Sequence, residues 1–194
     1  MLSVKGLSLE NVQPTQKRQP RVKKPYTEMM YKDASRWSLA FQSYVQLTMA
    51  DVHRKDTQRP VKMIERSLYS ARYCFVENLY QGGLMPEVDY AILSEWYNWI
   101  QDNEDMHIDL IVYLQALPVT CQERIKMRNR HEEQSVPLDY LESLNDLHEN
   151  WLIKQTKFKT PCPVLVINAD CGLDDMYKKF DLHREEILRL NKEN

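Results

Sequence analysis

The chain has 194 residues, 43% of them apolar and 28% charged, with a formal net charge of −2. That length supports one domain with a sizeable core, and the near-neutral balance gives no electrostatic reason to expect a nucleic acid or an anionic membrane as partner. Every apolar run is interrupted by charge before it reaches the length of a membrane span.

Cys74, Cys121, Cys162 and Cys171 show no paired C-x-x-C spacing, and the five histidines form no H-x-x-x-H pair. A reduced protein without a structural zinc site or a disulfide framework is therefore expected.

Residues 1–27 differ from the rest. Lys5, Lys17, Arg18, Arg21, Lys23 and Lys24 face a single acid, Glu10, and Pro14, Pro20 and Pro25 punctuate the segment. A disordered basic leader is expected there, with a mitochondrial presequence as the alternative. The folded domain is then residues 28–194.

From Met29 to about His53 the spacing of Trp37, Phe41, Tyr44, Val45, Leu47 and Thr48 predicts a helix with Asp33 or Ser35 as its cap. Gln42 sits beside that apolar face. It is either a satisfied interior amide or a group that reads a nucleobase edge, since its carboxamide both donates and accepts.

Val61 to Ile64 is a short apolar run that turns polar at Glu65-Arg66-Ser67. Such a run reads as a buried parallel strand delivering charged groups to its carboxyl end, where open α/β sheets bind ligands. The structural alternative is a Glu/Arg pair at a helix start with Ser67 in the cap. A helix follows, and Tyr80-Gln81-Gly82-Gly83 reads as a loop.

Glu87 to Asn103 is a second amphipathic helix, with Tyr90, Ile92, Leu93, Trp96, Tyr97, Trp99 and Ile100 forming core or subunit interface. Ile108 to Leu114 and Val164 to Asn168 read as further strands, and helices are expected near 119–129, 138–155 and 173–190. Strands alternating with helices indicate an α/β fold with a parallel sheet covered on both faces.

Arg124 and Arg128 share a helix face, and Arg130 lies where that helix should fray before Pro137. This is a solvated charge run or a mobile cover whose guanidinium forks match phosphoryl oxygens.

Met30-Tyr31-Lys32-Asp33, the run Phe41 to Met49, Glu65-Arg66-Ser67 with Ser70-Ala71-Arg72-Tyr73, and Arg128-Asn129-Arg130-His131-Glu132-Glu133 closely resemble the deoxyribonucleoside kinases. Glu77 to Tyr80, Met85 to Tyr90 and Leu93 to Trp96 resemble the mitochondrial, thymidine-phosphorylating branch of that family.

The resemblance implies a P-loop-kinase-like α/β fold. It also implies transfer of a phosphoryl group from ATP, with Mg²⁺, to the 5′-hydroxyl of thymidine or deoxycytidine. By that resemblance Arg66 contacts the 5′-hydroxyl and Glu65 helps hold the metal, while Gln42 pairs with the pyrimidine and Phe41 and Phe75 border it. Val45, Met49 and Ala71 complete the pocket, and Tyr31 and Glu133 bind the 3′-hydroxyl. Arg124, Arg128 and Arg130 correspond to the lid arginines over the phosphates. Ala71 stands where the deoxycytidine branch carries an acid, which favours a pocket open to thymidine as well. A homodimer and a mitochondrial location, otherwise cytoplasmic, are implied in the same way.

One part of the family pattern is absent. The only glycines are Gly6, Gly82, Gly83 and Gly172, and none lies in a G-x-x-x-x-G-K-[ST] phosphate loop. The acidic segment that supplies the family's general base is missing as well. Three strands are therefore expected, with the central phosphate-loop strand lacking. Each unpaired buried backbone group left in that gap would cost about 1 to 3 kcal/mol. An amino-terminally incomplete kinase with weak ATP binding is one expectation. A non-catalytic chain that binds or regulates a full-length kinase subunit is the other.

Overall fold

The computed structural model describes the backbone of residues 2–6 and residues 29–30, 32–130, 133 and 136–188. Two layers of helix enclose a four-stranded sheet of order β2-β1-β3-β4. The strands are β1 (Leu2–Gly6), β2 (Val61–Glu65), β3 (Leu110–Gln115) and β4 (Val164–Asn168). The three strands expected from the apolar runs are present. β4 pairs parallel to β3, and β1 pairs antiparallel to both β2 and β3. Hence β2, β3 and β4 share one direction, and their carboxyl ends, Glu65, Gln115 and Asn168, form one edge of the sheet.

β1 corrects two expectations. The sheet has a fourth strand, and that strand comes from the segment expected to be a disordered leader. Leu2↔Glu65 through Gly6↔Val61 and Leu2↔Val112 through Val4↔Leu110 bring together two strand edges that would otherwise lack ladder partners. Pairing those buried amides and carbonyls is the physical reason for the insertion. The sequence Leu2-Ser3-Val4-Lys5 alternates with the period of a strand, a pattern short enough to be lost among the basic residues that follow. The remainder of the expected leader, residue 1 and residues 7–27, lies outside the described residues.

The helices are α1 (Ala34–Arg54), α2 (Leu68–Ser70), a π-helical segment (Ala71–Val76), α3 (Glu77–Gln81), α4 (Glu87–Asn103), α5 (Pro118–Arg128), α6 (Leu138–Leu152), α7 (Leu173–Leu182) and α8 (Arg184–Leu188). Asp33 caps α1, its carboxylate accepting from Arg36 N–H at 3.1 Å. Pro118 at the first position of α5 supplies a preset φ where no amide donor is needed. The expected carboxyl-terminal helix is broken at His183 into α7 and α8.

The alternation of β3 divides the core. Ile111 and Tyr113 face a cluster with Leu68, Tyr69, Cys74, Tyr97, Ile100 and Trp151. Leu110 and Val112 face Leu165, Ile167, Met176 and Ile187 under α7 and α8. A smaller cluster, Val76, Leu79, Met85 and Leu93, joins α3 to α4.

The buried stripe of α1 differs from its predicted apolar face. Ser38, Gln42, Gln46, Ala50 and His53 are inward, whereas Leu47 is exposed. Partners on neighbouring elements make the polar stripe tolerable: Gln46 Nε2 donates to Leu93 O at 3.1 Å, and Leu68 N–H donates to His53 Nε2 at 3.5 Å.

Candidate active site

The carboxyl end of β2 delivers Glu65 and Arg66, both exposed, to the shared edge of the sheet. Arg66 takes φ 65, a left-handed conformation that a side chain adopts at a cost and that concentrates at functional sites. Ser67 then starts the next helix with a reciprocal cap. Its hydroxyl accepts from Ser70 N–H at 3.2 Å, and Ser67 N–H donates to Ser70 Oγ at 3.0 Å. The turn places the Arg66 guanidinium 4.5 Å from the centroid of the Phe75 ring.

Phe75 belongs to the π-helical segment, a form that appears in short pieces and frequently at functional sites. Ala71 begins the segment and is buried. Met49 and Phe75 pack against the same core cluster, so α1 and the π-helical segment bring these two predicted pocket residues to one region. Phe41 and Val45 are half-buried on α1.

Gln42 is 3% exposed, and its Oε1 has no hydrogen-bond partner among the described residues. A buried acceptor left unpaired costs about 1 to 3 kcal/mol, so it fits a site that a donor on a ligand completes.

The predicted phosphate-binding residues separate into two groups. Arg128 Nε and Nη2 donate to Glu133 Oε2 at 3.0 and 2.5 Å, and Arg130 Nη1 donates to Glu133 Oε1 at 3.3 Å. Arg124 instead donates from Nη2 to the carbonyls of Ala169 and Cys171, at 2.6 and 2.9 Å. In return Asp170 accepts from Leu117 N–H at 2.9 Å at the start of α5, and that hydrogen bond, followed by one from the Thr120 side chain, holds the Asp170 carboxyl below its usual range. α5 and the loop after β4 are thus clipped reciprocally. Tyr31 lies outside the described residues.

β1 has a direct consequence at this edge. Its Leu2 end lies beside Glu65 and its Gly6 end beside Val61. Lys5 and Gly6 therefore sit at the far end of the sheet from Arg66.

Two arrangements near the site were not anticipated from the sequence. His148 on α6 lies between Phe75, which it meets edge-on at 6.4 Å, and Tyr113, which it stacks on at 6.1 Å. Its Nδ1–H donates to Leu144 O at 2.7 Å, and burial pushes the imidazole below its ordinary pKa. The second is a buried ionic cluster around Glu77, whose carboxylate is fully buried against Arg72 and Lys157. Arg72 and Glu77 lie in motifs that carry the resemblance, but nothing in the sequence shows either arrangement, because each is assembled from residues distant in sequence or at non-helical spacing. One cavity of about 360 Å³ lies away from all of these residues, on the other sheet face, against Met63, Val112, Phe180 and Ile187.

Comparison with known proteins follows the same lines. Residues 7–193 match the family model described as deoxynucleoside kinase. Thymidine kinase 2, mitochondrial, from Homo sapiens is 54% identical over 160 residues, covering 82% of this chain and 60% of that protein. Deoxycytidine kinase from Homo sapiens is 38% identical over 175 residues, covering 83% of this chain and 67% of that protein. The Mus musculus deoxycytidine kinase is also 38% identical, over 175 residues, with 83% and 67% covered.

The chain belongs to the deoxynucleoside kinase family. It spans about 60% of the length of the thymidine kinase relatives it matches.

Proposed function

We propose that this chain binds a pyrimidine deoxynucleoside between α1 and the π-helical segment and presents its 5′-hydroxyl to a phosphoryl donor, ATP. The observation that carries the reading is Gln42: a buried carboxamide with an unpaired Oε1, on the helix that also presents Phe41, Val45 and Met49. A pyrimidine edge offers the missing donor, and the Phe75 ring offers a face for the base. Ala71, being small, leaves room for a substituent on the ring and suits thymidine.

Arg66, at the carboxyl end of β2, is the group that would meet the 5′-hydroxyl and the charge that develops there. Phosphoryl transfer is mostly positioning and charge neutralisation, and Arg128 and Arg130 would contribute by exchanging Glu133 for phosphate oxygens. In that exchange Glu133 becomes available to the 3′-hydroxyl, with Tyr31 as its partner. Arg124, held by Ala169 and Cys171, would fix the base of the lid or be released onto the phosphates.

Among the described residues no group of three or more His, Cys, Asp or Glu could hold a metal ion. Glu65 alone suits a Mg²⁺ ion that arrives with its nucleotide, since that ion keeps waters and phosphates as most of its ligands. Bound there, it would supply charge neutralisation on the transferring phosphate.

A second reading rests on two specific observations, the absence of a glycine-rich phosphate loop and the reversed direction of β1. On this reading the chain keeps the nucleoside side of the site and acts through a full-length kinase subunit as a non-catalytic partner. The exposed Val88, Ile92, Trp96 and Trp99 of α4 are the face for pairing with that subunit, or with a second copy of this chain. No helix among the described residues is long and apolar enough to cross a membrane. A mitochondrial location is proposed from the thymidine kinase relatives.

The experiment is phosphorylation of labelled thymidine with Mg·ATP by the purified chain and by Arg66→Ala, with thymidine binding measured by calorimetry on both. Turnover that disappears in Arg66→Ala supports catalysis by this chain. Binding without turnover supports the partner reading, and a folded chain that binds no thymidine overturns both.

A further inference from the structure

Arg72 and Glu77 stand five residues apart across the π-helical segment. In an α-helix of ~3.6 residues per turn, groups so spaced point about 140° apart. In a π-helix, where i bonds to i+5, they stack on one side. Arg72 Nη1 donates to Glu77 Oε1 at 2.6 Å, with the Glu77 side chain 0% exposed. The guanidinium also donates to the hydroxyls of Tyr90 and Ser94 on α4, each at 2.9 Å, and lies over the Tyr90 ring at 4.5 Å.

The second Glu77 oxygen accepts from Lys157 Nζ at 2.6 Å and from Gln81 Nε2 at 3.3 Å, while the Tyr90 hydroxyl donates to the first. Burial alone would raise the Glu77 carboxyl; the hydrogen bonds from Lys157, Tyr90 and Arg72 outweigh it and hold the group below its usual range. Lys157 comes from the segment after α6 and stays about half exposed. Next to it, Phe158 stacks on Tyr73 of the π-helical segment at 4.0 Å and 10°.

We infer that the Arg72–Glu77–Lys157 constellation locks the π-helical register of Ala71–Val76, making Glu77 and Lys157 positioning residues for the nucleoside pocket. The inference rests on the proposed pyrimidine site, because what the register sets is where Ala71 and Phe75 face. A relaxation from the π form to the α form would rotate those two residues relative to Gln42. Lys157 acts as an external latch: it donates to the second oxygen of the buried carboxylate from a segment distant in sequence.

The test combines amide hydrogen exchange over Ala71–Val76 with thymidine calorimetry on the full chain, for wild type, Lys157→Met, Lys157→Arg and Glu77→Gln. Lys157 is exposed enough for its variants to fold, so they decide the matter if Glu77→Gln does not. Expected in Lys157→Met are exchange over Ala71–Val76 faster by about ten-fold and a thymidine Kd weaker by about ten-fold, with α6 protection unchanged. Both should recover in Lys157→Arg.

Unchanged exchange overturns the register lock. Faster exchange with unchanged affinity overturns the positioning role, leaving a structural ion pair. A wild-type chain that binds no thymidine overturns the pocket itself and takes this inference with it, a result distinguishable from the other two because it appears before any variant is made.

Discussion

Arg66, the residue proposed to meet the 5′-hydroxyl, sits in a backbone conformation that disfavours a side chain. At φ 65 a residue with a Cβ costs on the order of 1 kcal/mol, which glycine does not. Arg66→Gly should therefore be about 1 kcal/mol more stable than Arg66→Ala in urea denaturation, although both lose the guanidinium over Phe75.

Gln42 carries a similar tension. Replacing its unpaired buried carboxamide by methionine removes the orphan acceptor, so Gln42→Met should equal or exceed wild type in stability by up to about 1 kcal/mol. The same change should abolish thymidine binding, which calorimetry would read directly.

His148 gives a pH signature. Burial depresses its pKa below the ordinary 6.5, so below that pH the unfolded chain takes up its proton first. The folded protein thus loses stability as pH falls from about 6.5 toward the depressed value, by at most ~1.4 kcal/mol per pH unit. Midpoints of urea unfolding at about pH 7.5 and 5.5 should differ less in His148→Gln than in wild type. The depressed carboxyl of Glu77 acts in a separate, lower window, beginning near its ordinary 4.5.

At the scale of elements, periodicity and turn chemistry were strong guides wherever burial follows polarity. Leu110–Gln115 and Val164–Asn168 are near-continuous apolar runs, the first covered on both faces and the second on the face of Leu165 and Ile167, and Glu87–Asn103 has one inward stripe, so all three were readable. α1 was readable as a helix but not in its orientation, since its inward residues Ser38, Gln42, Gln46 and His53 are those that a hydrophobic pattern turns outward. The aromatic stripe of α4 likewise divides, Tyr97 inward with Leu93 and Ile100, Trp96 and Trp99 outward. Motif resemblance singled out Glu65, Arg66 and Gln42 with roles, and it covered Arg72 and Glu77 without showing that they pair, since they lie at π spacing and the third member, Lys157, is on another segment.

For the whole molecule, the outward face of α4 and the inserted β1 make separate predictions. Val88, Ile92, Trp96 and Trp99 leave an apolar patch rimmed by Asp89, Glu95 and Asp102. If that patch pairs two copies, Trp96→Asp should shift the sedimentation coefficient from dimer to monomer while the circular dichroism stays unchanged. β1 lies between two strands, so proline at Val4 would remove a ladder amide. Val4→Pro should cost about 2 kcal/mol or more by chemical denaturation, and a neutral result would place Leu2–Gly6 outside the sheet.

The same strand sets an order of events for the chain as it folds. Leu2–Gly6 takes its hydrogen bonds from Val61–Glu65 on one side and Leu110–Val112 on the other, so the sheet has no complete interior until residues far along the chain have been made. Closing loops of that size costs entropy before any ladder bond repays it. Leu2–Gly6, though made before both of its partners, is thus among the last to find its place, and until it docks, the edges of β2 and β3 are open to the strand of another molecule.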